Sequence, residues 1–178
     1  MSTDPDRYLA DVRTALGARG FELLRTEVAG RAVDAARRSD FRWRWMAVRL
    51  HTSVIVASFS GAEARRDVLD EFLDAASRWA VQNRAGRGLL GLQSGTAAVA
   101  VAVIRDGAGD ALSWASESHG QRFAALAYPV AVDLSAATIV QPRRMVVGRV
   151  FTPFLRGIVR DVLKASLSPP GGGEGSSL

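Results

Sequence analysis

TAAVAVAVIRD, residues 96 to 106, holds eight consecutive apolar residues from Ala97 to Ile104. A strand with one wet face alternates apolar with polar side chains, and this one does not. It reads as a central strand covered on both faces, as in a parallel or mixed sheet with helices above and below. The run is far too short to cross a bilayer as a helix.

Upstream of it, Ser60-Gly-Ala-Glu63 fits a capping box that opens the longest helix, running to about Arg84. Val68, Phe72, Ala76 and Trp79 recur at helical spacing along one face of that helix, and Gly86 and Gly88 end it. Downstream, Asp110 is placed to cap a short helix through Trp114. FAALAYPVAVDLSAATIVQ then reads as a strand pair turning at Leu134 to Ala136. Thr152 and Pro153 start a closing helix with Leu155, Ile158 and Val162 as its buried stripe.

The amino-terminal part is equally patterned. Asp4 caps and Pro5 begins a helix with Leu9, Val12 and Leu16 on one side, and Gly20 stops it. FELLRTEVAGRAVDAARR reads as two short strands around Ala29-Gly30, and Phe41 to Phe59 as a third, with a break near Arg49. The order α-β-β-β-α-β-α-β-β-α implies an α/β or α+β fold, a mixed sheet of about five to six strands with helices packed on it. One globular domain is expected over residues 1–167. SPPGGGEGSSL, residues 168–178, has the composition of a disordered tail.

Phe123 to Gln141, with an aromatic, then YPVAVDL and a strand before the Thr152-Pro153 helix, resembles a segment of a small prokaryotic family of uncharacterised single-domain α/β proteins. The helix followed by Gly20-Phe21 and a strand is similar to that family's opening. The family segment follows W-A-x-x-E-x-P-V-x-x-D-L. Here Phe123 stands for the tryptophan and Ala127 for the acid, so a site depending on that acid would be absent. The resemblance implies a fold and no activity.

Composition narrows the chemistry. The 178 residues are 48% hydrophobic and 23% charged, which suits a globular chain. Without cysteine there is no disulfide, thiolate nucleophile or cysteine metal site, and His51 and His119 are the only histidines. The polar opening MSTDPDRYLADV lacks the features of a secretory leader, so a cytoplasmic protein is expected. The net charge is +5, and 22 of the 23 basic residues are arginine. GC-rich codons produce such an excess without any functional demand.

Several catalytic patterns fail on order. Gly86-Arg-Gly-Leu-Leu-Gly91 has the dinucleotide letters, but a helix precedes it and a strand follows, the reverse of what pyrophosphate binding needs. Ser94 in GLQSG falls one residue late for a nucleophile elbow, and no serine is singled out for His51 or His119. The only lysine, Lys164, lies in the closing helix, away from any acid pair of nuclease type. IRDGAGD has the right strand-turn-helix order, and Asp106, Asp110 and Asp133 are the weak candidates for a metal site. Turn-making and capping explain Asp106 and Asp110 more simply. No cofactor is expected, and an enzyme is the third reading.

The first two readings concern DFRWRWMAVRLHTSVIVASFS, residues 40–60. On a strand, Phe41, Trp43, Trp45 and Ala47 share one face, and Arg42 and Arg44 the other. With Arg31 and Arg37 upstream, Arg42 and Arg44 form a candidate interaction face. A non-enzymatic interaction or accessory protein with a protein partner is the first expectation. A nucleic-acid-binding arginine hairpin is the alternative, weakened because arginines and tryptophans cannot share one surface. A homodimer through a sheet edge is also compatible with this pattern.

Overall fold

A computed structural model describes residues 4–41, 48–84, 94–145 and 148–167. In chain order the elements are α1 (Pro5–Ala18), β1 (Glu22–Val28), β2 (Arg31–Phe41), β3 (Arg49–Phe59), α2 (Arg66–Gln82) and β4 (Ser94–Ile104). There follow α3 (Ala111–Ser116), β5 (Gln121–Arg122), β6 (Ala125–Asp133) and β7 (Thr138–Val140). A 3₁₀ turn (Arg149–Phe151) leads into α4 (Thr152–Ile158), whose rod continues as a π-helical stretch (Val159–Lys164) and ends in α5 (Ala165–Leu167). Among the described residues no helix is long and apolar enough to cross a membrane.

The seven strands make one mixed sheet in the order β1-β2-β3-β4-β6, with β5 and β7 both paired to β6. β1, β2 and β3 form an antiparallel meander; β3, β4 and β6 run parallel. The sheet thus has one strand more than the six of the expected order, because the Gln121–Arg122 pair is too short to carry a periodic signal; Ala125–Asp133 and Thr138–Val140 are the expected strand pair. The turn at Ala29 and Gly30 has φ of 52° and 69°, the left-handed pair that a two-residue hairpin requires. Phe123 and Ala124 form a second such turn without a glycine, at φ 49° and 63°.

β4 is buried along almost its whole length, as its composition demands. Its two faces differ in size. Val99, Val101 and Val103 join the core beneath α1 and the closing rod, together with Val54, Val56, Tyr128 and Val130. Ala100 and Ala102 face the other core, where α2 and α3 bring Phe72, Leu69 and Trp114. Alanine on the sheet leaves room for those large side chains, and Phe59 meets Phe72 edge-to-face at 5.4 Å between centroids. The Tyr8 hydroxyl, buried under α1, donates to the Leu163 carbonyl at 3.2 Å and ties the two helices of its layer together. Burial pushes its pKa up.

Pro129 lies in the middle of β6 and is tolerated for a local reason. β5 pairs with residues 125 and 126, β7 with 131 to 133, so no strand requires an N–H from the residue between them. The amide of Ala127, two residues earlier and on the same edge by alternation, donates to the Gly120 carbonyl at 3.0 Å.

Three sequence expectations need correction. Phe41 ends β2 and does not begin β3, so the third strand starts at Arg49; residues 42–47 between them lie outside the described residues. The Ser60–Glu63 pairing forms, with the Ser60 amide and hydroxyl both donating to Glu63 at 2.9 Å, but it closes a turn. α2 itself begins only at Arg66. Its buried stripe is Leu69, Phe72, Leu73, Ala76 and Ala80, so Val68 and Trp79 sit on the flank, half-buried. Gly86, Gly88 and the tail 168–178 lie outside the described residues.

Candidate interaction groove

Two of the four arginines proposed from the sequence, Arg31 and Arg37, are committed elsewhere. Arg31 opens β2, reaches Glu63 at 3.1 Å and lies over the Phe59 ring at 4.4 Å from its centroid. Arg37 holds Glu22 with two hydrogen bonds of 2.7 and 2.9 Å and donates to the Asn83 carbonyl at 3.3 Å. Each partner raises the preference for charge: Glu22 lifts the Arg37 pKa, and Arg37 lowers that of Glu22. Both side chains lie on the α2 side of the sheet with Val33 and Ala35 between them, half-buried. They staple β2 to its neighbours. Arg42 and Arg44 fall outside the described residues.

The three aspartates do not assemble into a metal site. Asp106 accepts from the Gly61 amide at 3.0 Å, and Asp110 from the Arg66 amide at 3.2 Å, the first turn of α2. Asp110 therefore caps α2 and makes no side-chain cap on its own helix α3. Asp133 accepts from the Ser135 amide and hydroxyl and from the Ala136 amide, closing the β6–β7 turn. Turn-making and helix capping use all three carboxylates, and among the described residues no three His, Asp or Glu side chains gather in a metal-holding group.

His119 is held in a network of a structural kind. One ring nitrogen meets the Trp114 carbonyl at 3.0 Å and the other meets an Arg122 nitrogen at 3.2 Å. A carbonyl cannot donate and a guanidinium cannot accept, so Nε2 carries the proton and Nδ1 offers its lone pair. Arg122 in turn bonds Asp74 and Asp70, and the nearby Ser113 and Ser116 hydroxyls donate to main-chain carbonyls. No serine hydroxyl is left poised as a nucleophile in this network.

A different set of arginines is not paired. Arg143, Arg144, Arg149 and Arg156 line a groove of about 870 Å³ with Met145 and Pro153. Among the described residues none of the four has a carboxylate at ion-pair distance, whereas Arg31, Arg37, Arg38, Arg65, Arg66, Arg122 and Arg160 all do. The groove is firmly built. Arg156 donates to the Arg143 carbonyl at 2.8 Å, and the Arg143 amide donates to the Ser116 carbonyl at 3.3 Å. Gly148 turns the chain at φ 71°, a conformation glycine adopts without strain, and a Cβ there would press within 2.8 Å of the Leu126 side chain.

Pro153 and Arg156 also line a second groove of about 740 Å³. One wall is β7 and its flanks, including Ile139 and Gln141; the other is the closing rod, including Arg160, Lys164 and Leu167. Beneath it, the Tyr128 hydroxyl donates to Gln141 at 2.9 Å. Burial pushes the Tyr128 pKa up, against the pull of the Arg156 guanidinium.

The rod keeps its cations in a column. Four residues overshoot an α-turn of 3.6 residues by about 40°. In a π-turn, wound with i to i+5 bonds, four residues fall short by roughly 30°. Arg156 is in α4, and Arg160 and Lys164 are in the π stretch, so the two drifts oppose each other and all three reach one groove.

The sequence held a signal for this site. From Arg143 to Lys164 there are six basic residues and one acid, Asp161, a net charge of +5. That equals the net charge of the whole chain, whose remaining 17 basic and 17 acidic residues cancel. Attention to the arginine excess along the chain concealed that the net positive charge is carried by this one segment. Comparison of the chain with protein-family models, curated proteins and solved structures finds no match in any of the three.

Proposed function

We propose that the protein is a non-catalytic interaction module that docks an acidic segment of a protein partner along the paired grooves. The unpaired arginine quartet carries this reading. Like charges gathered in one groove repel one another, and among the described residues none of these four has a carboxylate at ion-pair distance, whereas Arg31, Arg37, Arg65, Arg66 and Arg122 do. A surplus of positive charge left in one groove lowers the free energy of any ligand that brings the missing negative charge. The apolar contribution of Ile139, Pro153 and Leu167 favours a polypeptide, which can bury side chains there, over a bare polyanion. The aspartates that an enzyme would need are used in turns, and the hairpin arginines that a nucleic-acid module would need are paired on their described half.

Fluorescence titration with poly-glutamate and with a charge-matched random single-stranded oligonucleotide tests the reading. Poly-glutamate is expected to bind at low ionic strength and to weaken steeply as salt shortens the screening length. Arg143→Glu with Arg144→Glu should weaken it by about tenfold or more, while Arg31→Gln should leave it unchanged. Tighter binding of the oligonucleotide, or indifference to the groove pair, would sink the proposal.

A further inference from the structure

We infer that the acidic segment docks as an added β-strand on the open edge of β7, with acids at alternate positions. This rests on the proposed function and names the form its partner takes. β7 pairs with β6 at Ala131 to Asp133, and among the described residues no strand pairs with its outer edge. Its backbone donors and acceptors on that side are therefore available to an extended peptide, the chemistry of strand addition. The groove beside it has the closing rod as its second wall.

The spacing of that wall selects the peptide. Arg156, Arg160 and Lys164 are each four residues apart, so they rise by about 6 Å per interval where the rod is α-helical and by somewhat less where it is π-helical. On a β-strand, side chains on one face recur every two residues, about 6.6 Å. A strand laid on β7 and following the groove brings residues i, i+2 and i+4 within reach of the three long, flexible cationic side chains, and acids at those positions pair with the column. An acidic helix would offer its charges at a spacing set by four residues and would have no use for the free strand edge. Ile139, opposite Val132 in register and packed with the core under the rod, gives the same face of the incoming strand an apolar contact. Arg160 already bonds Asp161 at 2.6 Å. That exposed pair must open for the middle acid, so Arg156 and Lys164 are the stronger anchors.

Two peptides of identical composition separate this inference from simple charge attraction. One alternates glutamate with threonine and valine; the other places the same glutamates in a single run. Fluorescence anisotropy with the full chain should show the alternating peptide bound about tenfold more tightly. N-methylating its backbone amides on the edge that faces β7 should remove that advantage, and Lys164→Glu should do the same. Hydrogen exchange should show new protection at β7 amides on binding of the alternating peptide alone. Equal affinity for both peptides, with no protection at β7, overturns strand addition while leaving the acidic-partner reading standing. If neither peptide binds at low salt, both fail.

Discussion

Glu63 gathers three donors at once, the Ser60 amide, the Ser60 hydroxyl and Arg31, and they hold its carboxyl down at about 2. The unfolded chain titrates that group near its ordinary value of 4.5. A lowered folded pKa means stabilisation that is complete above the unfolded value and is lost as pH falls from there towards the folded one. Because the side chain is half exposed, screening reduces the effect, and Glu63→Gln should cost about 1 kcal/mol at pH 7. Urea melts at pH 7 and near pH 2 check this: the difference between variant and parent should close at the lower pH, and a constant gap would refute it. The Ser60–Glu63 half of this cluster was legible because it is local, three residues apart. Arg31 is 32 positions away, and its arrival depends on β2 lying beside β3, which no short-range pattern encodes.

Valine on one side of β4 and alanine on the other make the strand sensitive in opposite directions. Val101→Ala should leave a cavity under α1 and the closing rod and cost about 2 kcal/mol. Ala102→Leu should instead push α2 away and cost about 1–3 kcal/mol by overpacking. Thermal melts of the two single variants, with circular dichroism to confirm the fold, decide whether the alanine face is filled. The aromatic residues divide in the same way. Trp114→Ala, fully buried beside Phe72's core, should cost about 3–5 kcal/mol, and half-buried Trp79→Ala about half as much. If Trp79→Ala proves as costly as Trp114→Ala, the flank position given to Trp79 is wrong. The strand was readable from continuity of apolar residues alone. The face of α2 was not, since helical periodicity tolerates a stripe rotated by one residue, and only the sheet beneath shows that Leu69 and Leu73 point inward.

Across the whole molecule, stability and binding use different arginines. Arg37 is matched with Glu22, and Arg37→Gln should lower the melting temperature. Arg144 is exposed in a groove of like charges, so Arg144→Gln should leave stability unchanged or raise it slightly, within about 0.5 kcal/mol. A differential scanning calorimetry trace in which Arg144→Gln melts several degrees lower would show that the quartet supports the fold. The layers and the parallel centre of the sheet were written in the order of apolar runs. The paired grooves were not visible as shapes, because their walls come from β7, the 143–145 segment and the closing rod, which only the fold brings together. Its charge could be found by summing over a window of the closing segment.

Pro129 bears on how this protein behaves in a crowded solution. β6 is nine buried residues whose outer edge is paired only at its two ends, and an open strand edge is what lets a sheet grow from one molecule to the next. With proline in its centre, the outer edge offers an interrupted row of donors, and the short β5 and β7 cover its two ends. An arriving strand can extend over β7 but meets no amide at residue 129, so accretion stops after one short segment. Pro129→Val, which restores the missing donor, should leave the folded protein intact while shortening the lag before light scattering rises during refolding.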